Sequence, residues 1–242
     1  MNELILITGG SSGIGRALSL YFAKNNYDVI IIGRHEDKLE EVKCIYPHHI
    51  DYVATDISNK NTPVVISNKI GSRKVKILVH NAAVLSPVGN VLEVNDEELN
   101  YHFAVNFIAP FNITKKLLSK MVEKGRIFHM SSGAAYSAIP GWGCYCITKA
   151  SLAMLYKVLK NDLKKYNLLI GSSSPGVVDT PMQELIRSLD PSIFPLVAKF
   201  DLLKKNNKLL NPEVVAKKIG WLLLEADDET FTKQDWNIED LK

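Results

Sequence analysis

Short apolar runs alternate with longer stretches of helical period along most of the chain, and this alternation restricts the fold more than any other feature. A strand buried on both faces reads as near-continuous Val, Ile and Leu, and two parallel strands need a crossover between them, usually a helix. The runs are Leu4 to Thr8, Asp28 to Ile32, His49 to Ala54, Lys76 to His80, Arg126 to Ser131 and Leu168 to Ser173. Helical period fills Gly13 to Lys24, Glu36 to Cys44, Thr62 to Ile70, Asp96 to Glu123 with a bend at Pro110, and Tyr145 to Tyr166. A last helix is expected after Asn211-Pro212, where Asn caps and Pro takes the first turn, and Gln234 to Ile238 is a candidate seventh strand. No low-complexity linker interrupts the series. The expectation is a single α/β domain over residues 1–242, a doubly wound parallel sheet of about seven strands with helices on both faces.

Between Met182 and Leu210 the pattern loosens, mixing Leu, Ile and Phe with Pro191 and Pro195. A lid over a substrate site at 182–210 would read this way, and so would an amphipathic core helix.

Charge names no polyanionic partner: 29 basic and 26 acidic residues leave +3, with no long block of like sign. Neither nucleic acid nor a membrane is expected as a partner. The densest basic stretch, Leu203 to Lys208, reads as a solvated loop. Cys44, Cys144 and Cys146 are odd in number and form no CxxC pair, which suits a reducing cytoplasm. No Cys/His spacing resembles a zinc site, His48-His49 reads as a polar loop pair, and no metal is expected. The first residues lack the basic start and apolar run of a secretory signal, and nothing later approaches the roughly 20 apolar residues of a membrane span. A cytoplasmic location is the resulting expectation.

The first strand runs directly into Thr8-Gly9-Gly10-Ser11-Ser12-Gly13-Ile14-Gly15 and then a helix. Binding a pyrophosphate there requires a tight turn, backbone that approaches without a Cβ in the way, and N–H groups at a helix start. Gly9, Gly13 and Gly15 meet those needs, with Ser11, Ser12 and Ile14 between them. About 20 residues on, a carboxylate would favour a ribose 2′-hydroxyl and a cation a 2′-phosphate. The sequence has Gly33-Arg34, and a guanidinium pairs with phosphate, so the cofactor expected is NADP(H). Alternatively Glu36 or Asp37 reaches the ribose, although both read as first-turn residues of the next helix.

Tyr145-Cys146-Ile147-Thr148-Lys149 is the strongest chemical signal, with Ser132 upstream. On a helix the i and i+4 side chains share a face, so Tyr145 and Lys149 point together. Carbonyl reduction needs a proton at the oxygen, and a phenol of pKa about 10 is a poor donor near neutrality. A cation ~4 Å away at an effective dielectric of ~20 is worth roughly 4 kcal/mol, enough to lower the phenol by about three units. Lys149 is expected to do this, and Ser132 to hydrogen-bond and orient the substrate oxygen.

These segments resemble the short-chain dehydrogenase/reductase family, whose turn reads TGxxxGxG and whose catalytic helix carries YxxxK. The resemblance implies a Rossmann-type fold, Tyr145 as acid/base, Ser132 as orienter, Lys149 as tuner, and Asn106 as the asparagine of the proton relay. It also implies a cofactor wall of Asp56, Ile57, Asn81 and Ala82, and a nicotinamide segment in which Pro175, Gly176, Val178 and Thr180 match. His80 and Ala83 depart from the family's NNAG. Gly141-Trp142-Gly143-Cys144-Tyr145-Cys146 and Ser174 to Gln183 are similar to the sepiapterin and benzil reductase branch, which reduces dicarbonyls on aromatic or heterocyclic substrates. Trp142 then serves as a flat wall for a ring or as a packing residue, and Met182 as a substrate contact. Relatives are commonly dimers or tetramers, so a homo-oligomer is expected. The competing readings are an NADP(H)-binding regulator without catalysis, which has no need for Ser132, Tyr145 and Lys149 together, and a nucleotide-sugar epimerase, which usually carries a longer C-terminal substrate domain.

Overall fold

The computed structural model describes residues 3–241. Seven strands form one sheet: β1 (Leu4–Thr8), β2 (Asp28–Gly33), β3 (Ile50–Ala54), β4 (Val75–His80), β5 (Met121–Met130), β6 (Leu169–Ser174) and β7 (Asp235–Asn237). Their order is β3-β2-β1-β4-β5-β6-β7, and every pairing is parallel. The ten α-helices found among the described residues are α1 (Gly13–Lys24), α2 (Glu36–Ile45), α3 (Thr62–Ile70), α4 (Asp96–Phe103), α5 (Ala109–Leu117), α6 (Gly143–Asp162), α7 (Pro181–Arg187), α8 (Val197–Lys205), α9 (Pro212–Leu224) and α10 (Asp228–Thr232).

The apolar alternation within each strand divides the core in two. Ile5, Ile7, Val29, Ile31, Ile77, Val79, Phe128 and Met130 face α1, α2 and α9, meeting Leu18, Phe22, Leu39 and Ile219. Leu4, Leu6, Ile30, Ile32, Leu78, Ile127 and Ile170 face the other way, onto α3, α5 and α6 through Ile66, Ile113, Leu117 and Leu152. Each fully buried side chain of this kind stabilises the fold by roughly 1.5–3 kcal/mol. The fold is thus the doubly wound, Rossmann-like sheet that the alternation predicts.

Two of the expected helices differ in their bounds. The long helix read over Asp96 to Glu123 ends early: α4 gives way to a π turn over Ala104–Ile108, α5 follows, and Met121 already belongs to β5. The physical break is the π turn, with Pro110 just after it in the first turn of α5. The catalytic helix starts at Gly143, before Tyr145, and closes in a 3-10 turn at Leu163–Tyr166. The last helix begins at Pro212 with the Asn211 side chain accepting from the Glu213 N–H, as its sequence suggested. Its C-terminal end is tied to β5 by Arg126, whose guanidinium donates to the carbonyls of Leu222, Leu223 and Ala226 and to Asp228. A cation at a helix C-terminus is favourable for the same reason an anion is at the start.

In this strand order the chain reverses direction across the sheet between β1 and β4, and ligands of such sheets lie outside the carboxyl ends of the strands at that switch point. The glycine turn leaves β1 at this place.

Candidate active site

The turn after β1 is built so tightly that side chains cannot enter it. Gly9 has φ +69°, and a Cβ there would stand 2.9 Å from the Ala82 Cα, while one on Gly15 would stand 2.1 Å from the Gly9 carbonyl oxygen. Asn81 locks the arrangement: its side-chain amide donates to the carbonyls of Thr8 and Gly9, both at 3.1 Å. The Thr8 hydroxyl in turn accepts from the N–H groups of Asn81 and Ala82. Asn81 and Ala82 therefore stand beside the turn, with the Asn81 amide engaged in holding it.

Helix α1 starts with no capping side chain on its free N–H groups and no acidic residue in its first turn, which leaves its N-terminus open to an anion. Gly33 adjoins the turn, since a Cβ on it would lie 3.4 Å from the Ser11 hydroxyl, and Arg34 follows at the exposed rim. The turn and the helix start fit the diphosphate of a nicotinamide dinucleotide, with the Arg34 cation close by. Arg34 Nη1 donates to the Tyr101 hydroxyl at 2.7 Å, and that hydroxyl donates to Asp56 Oδ2 at 3.1 Å. Tyr101, on α4, thus bridges two predicted residues and carried no signal in the sequence. Burial pushes the Asp56 carboxyl up, but hydrogen bonds from Ser58 and Tyr101 and the Arg34 charge bring it below the usual range. Ile57 is buried next to it.

The segment after β6 closes the opposite side. Thr180 abuts the glycine turn, because a Cβ on Gly13 would meet its Cγ2 at 3.0 Å. Pro175 and Gly176 lead into a parallel bridge between Val178 and Leu210. That bridge uses the Val177 carbonyl and the Asp179 N–H, so the N–H and C=O of Val178 point the other way. The Thr180 hydroxyl makes no capping bond to α7.

Tyr145 and Lys149 lie one turn apart on α6 and are both buried, 7 % and 2 % exposed. Lys149 Nζ is 5.7 Å from the centre of the Tyr145 ring and donates to the Met130 carbonyl at 2.8 Å. Ser132, just past β5, accepts from the Ala134 N–H and lies near enough to the Tyr145 phenol to favour its charged form. Here the expected tuning is not seen. Burial raises the phenol to about 12, opposed by Ser132 and aided by Cys146, and the Lys149 charge is not among the causes. Lys149 is itself lowered to about 8 by burial, with Asp235 pulling it back up. Removing both groups from water outweighs their mutual effect in the protein alone.

Asn106 sits in the π turn with its side chain fully committed. Its Oδ1 accepts from the Val84 N–H, and its Nδ2 lies within 3.1 Å of the Val84 carbonyl, His102 Nδ1 and Thr148 Oγ1. Pro110, four positions later, has no N–H to give the Asn106 carbonyl in an α-helical bond. His102 and Thr148, which hold Asn106, were not legible as site residues.

Trp142 joins an aromatic cluster that roofs the cleft. Its ring stacks on Phe194 at 5.1 Å and 5°, lies 5.7 Å from Phe200, and meets Tyr145 edge to face at 5.7 Å. One face of the indole is therefore already covered. Met182, Ile186 and Leu189 from the 182–210 segment pack into the same cluster. His80 and His129 pack ring against ring behind the site, each kept neutral by burial, with His129 held at about 3. Among the described residues there is no group of side chains that could hold a metal ion, and no helix is long and apolar enough to cross a membrane.

Comparison with known proteins agrees with this geometry. A short chain dehydrogenase family profile matches residues 3–190. The chain belongs to the short-chain dehydrogenase/reductase family. It is 32% identical over 234 residues to a benzil reductase ((S)-benzoin forming) of Bacillus cereus, covering 90% of this chain and 93% of that protein. A benzil reductase ((S)-benzoin forming) of Bacillus subtilis (strain 168) is 28% identical over 244 residues, covering 98% and 99%. The solved structure of the YIR035C short-chain dehydrogenase/reductase from Saccharomyces cerevisiae superposes with a TM-score of 0.88 at 28% identity, covering 99% of this chain and 97% of that one. The family is one of oxidoreductases that bind a nicotinamide cofactor and act on small molecules.

Proposed function

We propose that this short-chain dehydrogenase/reductase is an NADP(H)-dependent carbonyl reductase in which Tyr145 delivers the proton and Ser132 orients the substrate oxygen. The observation that carries the reading is the burial of Tyr145 and Lys149 on one face of α6, with Ser132 near enough to pull the phenol's pKa down. When bound, the dinucleotide supplies the hydride. The glycine turn from Gly9 to Gly15 and the start of α1 take its diphosphate, Arg34 its 2′-phosphate, and the free backbone of Val178 with the Thr180 hydroxyl its carboxamide. A phenol held high by burial keeps its proton until the substrate oxygen develops charge, and Lys149 lies near enough to favour its loss at that moment.

The substrate we infer is an aromatic or heterocyclic dicarbonyl, supported by the apolar cluster of Trp142, Phe194, Phe200, Ile186 and Met182 packed about Tyr145 and by the benzil reductase relatives. The segment 182–210 is its lid, docked through those aromatic rings and the Lys204–Asp179 ion pair. A homo-oligomer is also part of the proposal. Ile147, Met154 and Val158 stand exposed at helical spacing along one face of α6, and a second copy would cover them. Its free cysteines suit a cytoplasmic enzyme.

Consumption of NADPH in the presence of benzil, other diketones, quinones and aliphatic ketones tests the reading, with NADH alongside. Turnover of aromatic diketones with NADPH is expected to exceed that of aliphatic ketones and that with NADH. No turnover of any carbonyl by a protein that binds NADPH would favour the regulator instead.

A further inference from the structure

Behind the catalytic pair lies a carboxylate that none of the readings above uses. Asp235 opens β7, the short last strand, and its Oδ2 accepts from the Ser131 hydroxyl at 2.8 Å and the Tyr136 hydroxyl at 2.7 Å. Its Oδ1 is buried with no hydrogen-bond partner among the described residues. Ser131 stands between the two residues that matter most. Met130 before it gives the carbonyl that receives Lys149, and Ser132 after it lies near the Tyr145 phenol, whose pKa it lowers. The Ser131 N–H also donates to Ser173 on β6, the strand to which β7 is paired.

We propose that Asp235 is a positioning residue for Lys149: it clamps the strand end that carries the ammonium's acceptor and supplies the negative charge facing that ammonium. A buried amine tends to shed its proton, and the lone carbonyl of Met130 offers a dipole where a formal charge is wanted. Asp235 offers that charge without taking the lysine away, since Lys149 bonds Met130 and the carboxylate bonds two hydroxyls. Around Lys149 the other titratable groups are Tyr145 on α6, His102 on α4 and His129 on β5, the two histidines being held neutral partly by the lysine's own charge. Around Asp235 they are Tyr136 and Tyr156, both raised, and among the described residues Asp235 is the carboxylate that acts on Lys149.

The proposal rests on Lys149 being part of the active site, and the test separates the two ideas. Protein carrying lysine labelled with carbon-13 at the ε position is titrated by NMR, with Lys149→Met assigning the signal. The wild-type Lys149 resonance is expected to titrate near about 8. In Asp235→Asn, loss of the negative charge disfavours the ammonium, so the midpoint falls by about one unit, and Asp235→Glu restores it. Benzil reduction should follow: in Asp235→Asn the rate declines from a lower pH than in the wild type, with the acid-side rate changed less than twofold. An unchanged Lys149 midpoint, or an equal loss of rate at every pH, would overturn the proposal. If Asp235→Asn does not fold, Asp235→Ser carries the same expectation. A wild-type midpoint well below neutrality overturns the proposal without any variant. Full activity of Lys149→Met alongside a shifted midpoint in Asp235→Asn would instead remove the catalytic reading and leave the charge pairing standing.

Discussion

The two ends of the cleft are built by opposite means. At the rim, Arg34, Tyr101 and Asp56 form a chain of charge-assisted bonds among exposed or half-exposed side chains. At the inner end, Tyr145, Lys149 and Asn106 are buried, and burial shifts the tyrosine and the lysine more than any charged partner does. Water screens the first arrangement and leaves it adjustable at small cost, whereas each group at the second pays a desolvation cost that only tight packing sustains. On the proposed reading, affinity and cofactor choice belong to the soft end, and proton transfer belongs to the hard one.

The sharpest way to break that division is Tyr145→Phe. Loss of the proton donor should lower benzil turnover about a thousandfold while the dissociation constant for NADPH, read by fluorescence, stays within about twofold. Comparable losses in both would mean that the inner end also sets affinity. Acid tests the hard end differently. His129 is held at about 3 in the folded protein, below the ordinary histidine value of about 6.5, so the unfolded chain binds the proton first. Stability is therefore complete above about 6.5 and drains away as pH falls toward about 3. Thermal melts should lose on the order of 5 °C across that window, and His129→Gln should flatten the slope.

At the soft end the effects are smaller. Arg34→Ala is expected to weaken NADPH by about tenfold and leave NADH nearly unchanged, and added salt should erode the difference in the wild type. Equal losses for both cofactors would refute the assignment of the 2′-phosphate to Arg34. Tyr101→Phe removes the hydroxyl between Arg34 and Asp56, and a change of about threefold in the ratio of NADPH to NADH affinity is expected. A ratio that does not move would leave Tyr101 a packing residue.

Much of the fold could be read from the chain because βα alternation is a local property repeated many times. The glycine turn and the YxxxK helix were equally legible, since each is a contiguous stretch whose geometry follows from its own residues. The start of β5 was not: Met121-Val122-Glu123 continues the helical period of α5, and only pairing with β4 turns it into strand. Tyr101, His102, Thr148 and Asp235 were missed for a related reason. Their partners lie on other elements, and nothing in a linear sequence says that α4 passes over Arg34 or that the last strand reaches Ser131. Pro110 marked a break, but a proline cannot say whether the turn before it is α or π.

That turn sets a limit on how the chain can vary in length. A π turn accommodates one residue more than the α-helical turn it replaces, and an α-helix advances about 100° per residue. Deleting one residue between Ala104 and Ile108 would let the segment relax into uninterrupted α-helix with Ile113 and Leu117 still facing the sheet, but would shift Asn106 away from Val84, His102 and Thr148. A one-residue deletion here should therefore spare the packing of α5 and cost the site its Asn106 contacts, so natural variation is expected to preserve the number of residues in this turn.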